Sequence, residues 1–155
     1  LESEKICLKK KSLVLRVNFF AYAKKNIFFW ILKMARSKKK LNLFKDIYFS
    51  PLSVISLSNI ISKIIPKVIN ENIYGLFNLG SSNSINKSNF CIYILKKMKK
   101  AKCNYQVVES CNFLKIKRSA NMGMDTNKFQ KIFKIKLPYI KNDINKYLKI
   151  VNAKI

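Results

Sequence analysis

The apolar positions of the chain form two patterns, short continuous runs and repeats at helical spacing. The short runs are rich in branched side chains, which favour the pleated, buried surface of a strand. An aromatic-rich loop, 18–25, follows the first run. Four strands are predicted in this way, at 12–17, 41–44, 74–80 and 105–110.

Between these runs, apolar residues recur every three or four positions, which predicts amphipathic helices. Ile27, Trp30, Ile31 and Met34 show this spacing in one of them. Residues 1–11 have the pattern of a helix already in progress, so we expect the chain to be a fragment of a longer protein. Five further helices are predicted, at 26–39, 51–70, 87–100, 126–134 and 137–151.

Serine, aspartate and proline residues predict where the helices begin and end. Ser50 is predicted to cap the helix at 51–70, with Pro51 in its first turn and Pro66 as a kink or stop. Asp125 or Thr126 is predicted to cap the helix that follows. The alternation of strands and helices predicts an α/β fold, and 155 residues suit one compact unit.

The large positive charge suggests a partner but does not identify one. Lys+Arg number 32 against 7 Asp+Glu, a net charge of +25, which would favour nucleic acid if the charges were clustered. The lysines are instead scattered and accompany abundant Ile and Asn, as an A+T-rich genome would produce. Arginine, whose planar fork binds phosphates bidentately, occurs only as Arg16, Arg36 and Arg118. We favour solvated lysine faces, and we keep a small basic nucleic-acid-binding protein of ribosomal kind as the alternative.

Residue types that carry chemistry are sparse. Histidine is absent and the four cysteines have no C-x-x-C spacing, which argues against a zinc site, a redox pair and a histidine-activated nucleophile. Scattered cysteines without a signal peptide indicate reduced thiols and predict a cytoplasmic protein. The most apolar run, 26–35, is half as long as the roughly 20 residues that span a bilayer, so no membrane partner is expected.

Self-contained catalysis is also not expected. The chain has three glycines, no Gly-rich phosphate-binding turn and no paired carboxylates. Tyr93 and Lys97 stand at i, i+4, the spacing of a catalytic tyrosine and lysine in short-chain dehydrogenases. Without a dinucleotide-binding turn, this pair fits an ordinary helix surface better than a catalytic site.

Several segments, taken in order, carry a family resemblance. They are "LESEK", "SLVLRVNFFAY", "KNIFFWIL", "LNLFKDIYFSPLSVISLSNII", "YGLFNLGSSNSINKSNF" and "RSANMGMDTNKF". In this order they resemble the C-terminal half of the extended short-chain dehydrogenase/reductases, most closely the dTDP-4-dehydrorhamnose reductase type of nucleotide-sugar enzyme. The chain departs from the family pattern at Val17, Leu52 and Ser119, which replace Thr, Thr and Pro.

The resemblance implies the C-terminal part of a Rossmann-type NAD(P)-binding fold, with the last sheet strands and a small α/β substrate-binding lobe. Residues 1–25 would end the Rossmann-like half, and 26–155 would form the lobe. The N-terminal cofactor half, with its Gly-rich motif and Tyr-x-x-x-Lys pair, would lie before Leu1. NAD(P) is therefore expected in the full-length parent and no cofactor in this chain alone.

The resemblance also implies site residues. Those matching the substrate-binding motifs are Asn26, Asp46, Ser50, Pro51 and Arg118, and those in the loop beside the cofactor are Asn18, Phe20 and Tyr22. The guanidinium of Arg118 would offer a charged fork to the diphosphate of a dTDP- or UDP-sugar.

Each of these residues also has a structural interpretation. Arg118 could pair with Asp125 or Glu109 on the surface. Asn26 could be no more than the N-cap of a helix, without contact to a substrate. Asp46 could accept hydrogen bonds from the backbone of a loop instead of binding a ligand. The rings of the aromatic loop could fill the edge of the core, above all Phe19.

The preferred hypothesis is the substrate-binding portion of an NAD(P)-dependent nucleotide-sugar reductase or epimerase, inactive without its cofactor half. Besides the nucleic-acid-binding alternative, a non-catalytic interaction subunit derived from the same family would also fit. Nucleic acid is the less expected partner because the lysines show no clustering in the sequence.

Overall fold

The computed structural model describes residues 2–37, 40–98, 103–114 and 119–152. The helices are α1 (Glu2–Lys9), α2 (Ile27–Arg36), α3 (Val54–Asn70), α4 (Lys87–Lys97), α5 (Asn127–Phe133) and α6 (Ile140–Asn152), with a 3₁₀ turn at Ser110–Asn112. The strands are β1 (Leu13–Val17), β2 (Phe19–Phe20), β3 (Leu41–Phe44), β4 (Tyr48–Phe49), β5 (Leu52–Ser53), β6 (Gly75–Leu79), β7 (Ile85–Asn86), β8 (Tyr105–Val108) and β9 (Asn121–Met122).

Parallel strand pairs dominate the sheets. β1 pairs with β6 from Leu13 opposite Gly75 to Val17 opposite Leu79, and β3 pairs with β8 in the same sense. The short strands join β2 to β5 and set β4 between β7 and β9. Parallel pairs need long crossover connections, which here contain helices, so the predicted α/β class is confirmed.

Two apolar clusters hold the helices against these sheets. The larger cluster joins α2, α4 and α6 to β3, and the smaller one joins α3 and α5 to β1 and β6. Phe20 is fully buried in the larger cluster, where its ring meets Phe28, Phe90 and Tyr147 at centroid distances of 5.3 to 6.0 Å. The second residue of β2 therefore anchors the loop after β1 to the core.

The predicted cap at Ser50 is wrong. α3 begins at Val54, and the Oγ of Ser53 accepts a hydrogen bond from the Ser56 N–H at 3.1 Å. Leu52 is drawn into β5 because it pairs with Phe19, so the helix starts three residues later than the Ser-Pro pattern predicts.

Of the two outcomes predicted at Pro66, a kink or a stop, the stop does not occur. α3 continues through Pro66 to Asn70. Proline removes one helical hydrogen bond, but the exposed ring lies away from the core. Ile64 before it and Val68 after it both pack into the smaller cluster, which holds the helix together on either side.

The start of α5 agrees with the predicted position but not with the predicted bond. Thr126 occupies the cap position and its side chain makes no capping hydrogen bond. The Asp125 carboxylate instead accepts from the Asn127 N–H at 2.9 Å. The two residues thus share the role that the sequence assigned to one of them.

One buried carboxylate fastens α6 to the start of α3. Asp143 is fully buried and accepts hydrogen bonds from the Ser53 N–H at 2.6 Å, the Ser53 hydroxyl at 2.7 Å and the Ser56 hydroxyl at 2.5 Å. A negative charge at a helix N-terminus is stabilising, because the first N–H groups have no partners within the helix. In the part of the chain that the structure describes, no helix is both long and apolar enough to cross a bilayer.

Candidate functional site

A cavity of about 840 Å³ opens between α2, β3 and the start of α4. Four lysines border it, Lys25, Lys33, Lys40 and Lys87, together with the rings of Phe29, Trp30 and Phe113. The described residues that line it include no Asp or Glu. A pocket with several cations, exposed aromatic rings and no carboxylate favours a ligand that is both anionic and planar.

Asn26 lies at the edge of this α2–β3 cavity and caps α2. Its side-chain oxygen accepts from the Phe28 N–H at 3.2 Å and from the Ala21 N–H at 3.0 Å. The predicted helix cap is confirmed, and the cap also ties the aromatic loop to the helix. A contact between Asn26 and a substrate stays a prediction.

The floor of the cavity is rigid and chemically inert. Asn42 of β3 accepts a hydrogen bond from the Gln106 side chain of β8 at 2.7 Å, which locks the two strands together. Cys91 of α4 is 2% exposed, and burial raises the pKa of its thiol to about 12. The thiol is therefore neutral at physiological pH and is not a nucleophile.

Ser50 lies where several loops meet, at the carboxyl ends of β1 and β6. Its hydroxyl accepts from the Met124 N–H at 3.2 Å, and its carbonyl accepts from the Ser81 N–H at 3.1 Å. Gly80 approaches so closely that a Cβ there would stand 2.5 Å from the Ser50 carbonyl oxygen. Ser50 and the adjacent Pro51 are both buried, so they shape this end of the sheet from within.

Asn18 joins the same loops from the end of β1. Its side-chain amide donates to the Met122 carbonyl at 3.1 Å, and its own carbonyl accepts from the Leu52 N–H at 2.9 Å. The structure thus brings Asn18, Ser50 and Pro51 to one region, as parallel strand ends would place them.

Asp46 is held by the 3₁₀ turn at Ser110–Asn112. Both of its carboxylate oxygens lie 3.0 Å from the Ser110 N–H, and one accepts from the Ser110 hydroxyl at 2.6 Å. These bonds, the hydroxyl first, lower the pKa of Asp46 below its ordinary value. The loop-bonding interpretation of Asp46 is confirmed, and a role in substrate binding stays a prediction.

The two aromatic-loop residues of the predicted cofactor edge have different surroundings. Tyr22 is 43% exposed, and its N–H donates to the Tyr147 hydroxyl at 2.6 Å. Phe20 is fully buried and Phe19 is 48% exposed, so their roles are reversed from the expectation that Phe19 fills the core edge. Arg118 lies outside the residues that the structure describes.

The tyrosine and lysine of α4 have structural partners. The Tyr93 hydroxyl donates to Asn145 of α6 at 3.0 Å, and the Lys97 Nζ lies 5.7 Å from the centre of the Tyr93 ring. Across the described residues, no group of His, Cys, Asp and Glu side chains could hold a metal ion.

The lysines around the α2–β3 cavity were not predicted as a site. Lys25 precedes α2, Lys33 lies within it, Lys40 precedes β3 and Lys87 begins α4, so the four have no common spacing in the sequence. The usable signal is weak: Trp30 lies one helical turn after the cap Asn26, with lysines on either side in sequence.

Comparison with solved structures shows the fold. The chain superposes on dTDP-4-dehydrorhamnose reductase from Bacillus anthracis in complex with NADP with a TM-score of 0.78 and 16% identity, covering 90% of this chain and 48% of that one. For dTDP-4-dehydrorhamnose reductase from Yersinia enterocolitica the TM-score is 0.74 and the identity 20%, covering 96% and 53%. For dTDP-glucose 4,6-dehydratase from B. anthracis in complex with NAD the values are 0.68 and 16%, covering 91% and 44%.

These comparisons confirm the predicted fold, part of a Rossmann-type fold, and the chain spans about half the length of each of these solved structures. No curated protein matches the chain. The family model described as the RmlD substrate binding domain matches residues 1–153. The chain therefore belongs to the RmlD substrate-binding domain family.

Proposed function

We propose that the chain is the substrate-binding part of an NAD(P)-dependent nucleotide-sugar reductase or epimerase, similar to dTDP-4-dehydrorhamnose reductase. Alone, it would bind the nucleotide sugar and would not turn it over. The family match and the names of the similar structures support this function. The observation that carries it is the lysine-bordered α2–β3 cavity.

The size and chemistry of this cavity suit a nucleoside diphosphate. Its volume of about 840 Å³ lies in the range of small-molecule pockets, roughly 300–1,000 Å³. Lys33 of α2 and Lys40 before β3 are exposed cations on its border, and the N-terminus of α2 adds a partial positive charge. The exposed ring of Trp30 offers a face for the base.

Arg118 would add a charged fork to the diphosphate end of the ligand. The motif "RSANMGMDTNKF" places it just before the segment 119–126, which meets Ser50 through Met124. An arginine can bind two phosphate oxygens at once, whereas each cavity lysine offers a point charge.

The cofactor half would dock at the edge of β1. In the described part of the chain, β1 pairs with β6 on one side only, so its other edge has unpaired N–H and C=O groups. We place the end of the cofactor half at 1–25 and the substrate lobe at 26–155. In the assembled enzyme, NAD(P) would exchange a hydride with the sugar.

This chain supplies only the border of such a cofactor site. It has no Gly-rich turn for the pyrophosphate, whereas Asn18 and the exposed ring of Tyr22 lie at the carboxyl end of β1, where a ligand of such a sheet binds. The buried ring of Phe20 would hold this border in place from the core side.

Calorimetric titration of dTDP into the chain tests the proposal. We expect a Lys33→Gln/Lys40→Gln variant to weaken binding about tenfold, since each exposed ion pair contributes up to about 1 kcal/mol. A Lys5→Gln/Lys96→Gln variant removes the same charge at exposed sites outside the cavity and should change the affinity less than about twofold. Equal losses of dTDP affinity in the two variants would show that net charge, and not the position of the lysines, determines binding.

Two further measurements complete this test. Arg118→Ala should lose affinity for dTDP, and unchanged affinity would remove Arg118 from the site. Mixing the chain with dTDP-4-dehydro sugar and NADPH should give no oxidation of NADPH. Turnover by the chain alone would contradict the assignment of catalysis to a separate half.

A further inference from the structure

A second groove lies between α3, α6 and the segment 135–139, and it shares no lining residue with the α2–β3 cavity. Its volume is about 710 Å³. Ser56 and Lys63 mark its extent along α3, and seven residues of helix correspond to about 10 Å. The α3–α6 groove is therefore long enough for about three residues of extended chain.

The two helices run in opposite directions along this groove. Asp143 of α6 bonds to Ser53 and Ser56 near the start of α3, whereas Leu137, before α6, packs in the cluster that contains Ile60. Residue numbers therefore increase along α3 in the direction in which they decrease along α6 and the segment before it.

This antiparallel arrangement separates the charges that border the groove. Lys146 lies at the Ser56 end, and Lys63 and Lys136 lie at the opposite end. All three lysines are exposed. The groove therefore has a positive charge at each end, about 10 Å apart along α3.

The middle of the groove has a different character. Ile60 and Leu137 form an apolar floor, and Asn59 and Asn142 are exposed amides on the two walls. No Asp or Glu is among the described residues that line the groove. Asp143, next to the lining residue Asn142 in sequence, is fully buried and its oxygens accept hydrogen bonds from serines.

We propose that the α3–α6 groove binds an extended acidic peptide segment of a partner protein. Side-chain amides both donate and accept, which matches the alternating N–H and C=O groups of a peptide backbone. The apolar floor would take one aliphatic side chain, and the lysines at the two ends would pair with carboxylates two positions before and two positions after it, which an extended chain places on the same face.

A single strand of nucleic acid fits the groove less well. Sites for single strands combine a basic track along the backbone with aromatic rings on which successive bases stack. The described lining has one aromatic ring, Tyr139, and its lysines lie at the ends and not along the length. The charge pattern therefore favours carboxylates at two separated points.

Fluorescence anisotropy of a labelled peptide, Gly-Glu-Ser-Leu-Ser-Glu-Gly, whose two glutamates and leucine share one face when extended, tests the proposal on the full chain at low salt. We expect saturable binding that the Lys63→Gln/Lys136→Gln/Lys146→Gln variant weakens about tenfold. A Lys5→Gln/Lys10→Gln/Lys96→Gln variant loses the same charge at exposed positions and should weaken binding less than about twofold. Circular dichroism of both variants should match that of the wild type.

Three results would overturn the proposal. One is equal weakening by both triple variants, and another is the absence of saturable binding by the wild type. The third is tighter binding of an eight-residue oligothymidylate that is lost in the groove variant, which would assign the groove to nucleic acid. Because the groove and the α2–β3 cavity share no lining residue, excess dTDP should not displace the peptide. A chain that binds dTDP but no peptide would contradict this proposal and leave the proposed function intact.

Discussion

Replacing Asp143 with alanine should destabilise the whole domain. The change removes a fully buried carboxylate that accepts three hydrogen bonds at the N-terminus of α3. The Ser53 N–H and the two serine hydroxyls then lose their common acceptor. The Ser53 hydroxyl keeps its bond from the Ser56 N–H, so the helix retains one capping interaction.

The expected loss follows from the groups left behind. A buried N–H without an acceptor costs about 1–3 kcal/mol. Loss of the negative charge at the helix N-terminus adds about 0.3–1 kcal/mol, and the two weakened hydroxyl bonds add about 1 kcal/mol each. The sum is about 3–6 kcal/mol, a large part of the roughly 5–15 kcal/mol that stabilises a domain.

Thermal and urea unfolding, followed by circular dichroism, measure this loss. For a domain of this size, about 3–6 kcal/mol corresponds to a fall in Tm of roughly 6–24 °C. Asp143→Asn keeps one acceptor oxygen and should lie between the wild type and Asp143→Ala.

Asp125→Ala is the matched control. It removes an exposed carboxylate that accepts one hydrogen bond at the start of α5, so its expected cost is about 1 kcal/mol or less. Equal losses for Asp143→Ala and Asp125→Ala would refute the reasoning, since burial and the number of bonds would then have no effect.

Three further predictions concern other parts of the molecule. Gly80→Ala should lower Tm and reduce dTDP binding, because its Cβ would stand 2.5 Å from the Ser50 carbonyl oxygen; unchanged Tm would show that the two loops can separate. The Glu4 carboxylate bonds to an arginine of β1, which lowers its pKa to about 2, so this stabilising pair should persist above pH 4.5 and be lost as the pH falls through about 2. NMR titration of Glu4 checks this, and an ordinary pKa would contradict the pairing. Native alkylation at pH 8 should modify exposed Cys7 and spare buried Cys91, whose pKa is about 12; mass spectrometry showing equal labelling would contradict the burial.

The local elements of the fold could be predicted from the sequence because each has a local cause. The run 41–44 coincides with β3, and the repeat at Ile27, Trp30 and Ile31 lies within α2. Asn26 was predicted as the cap of α2 because asparagine is a favoured N-cap residue and stands directly before the apolar repeat. Each of these signals depends on residues within about one or two helical turns of each other in the sequence.

The errors came from long-range contacts that override local preference. Ser50 was predicted as the cap of the helix at 51–70, but the pairing of β2 with β5 keeps Leu52 in a strand and makes Ser53 the cap. In β2, the alternation of a two-residue strand cannot show whether Phe19 or Phe20 faces the core. Only the ring cluster with α4 and α6 fixes that choice.

The candidate site was predictable only in part for the same reason. Motif matches selected Asn18, Ser50 and Pro51 separately, and the structure brings them to one region; their roles in binding stay predictions. The cations of the α2–β3 cavity are separated by up to about sixty residues, from Lys25 to Lys87, and no periodicity links them. Their proximity depends on the crossover connections.

The bonds of Asp143 to Ser53 and Ser56 also constrain the order of events during synthesis. They join residues 87 to 90 positions apart, so the start of α3 leaves the ribosome long before its carboxylate partner is made. Until residue 143 is made, the Ser53 N–H lacks the carboxylate that accepts its hydrogen bond, and among the strands that the structure describes β5 pairs with β2 alone. The loops that surround Ser50 therefore reach their final stability only after α6 has been made, and a chain interrupted before residue 143 would lack the bonds that fasten the start of α3 beside them.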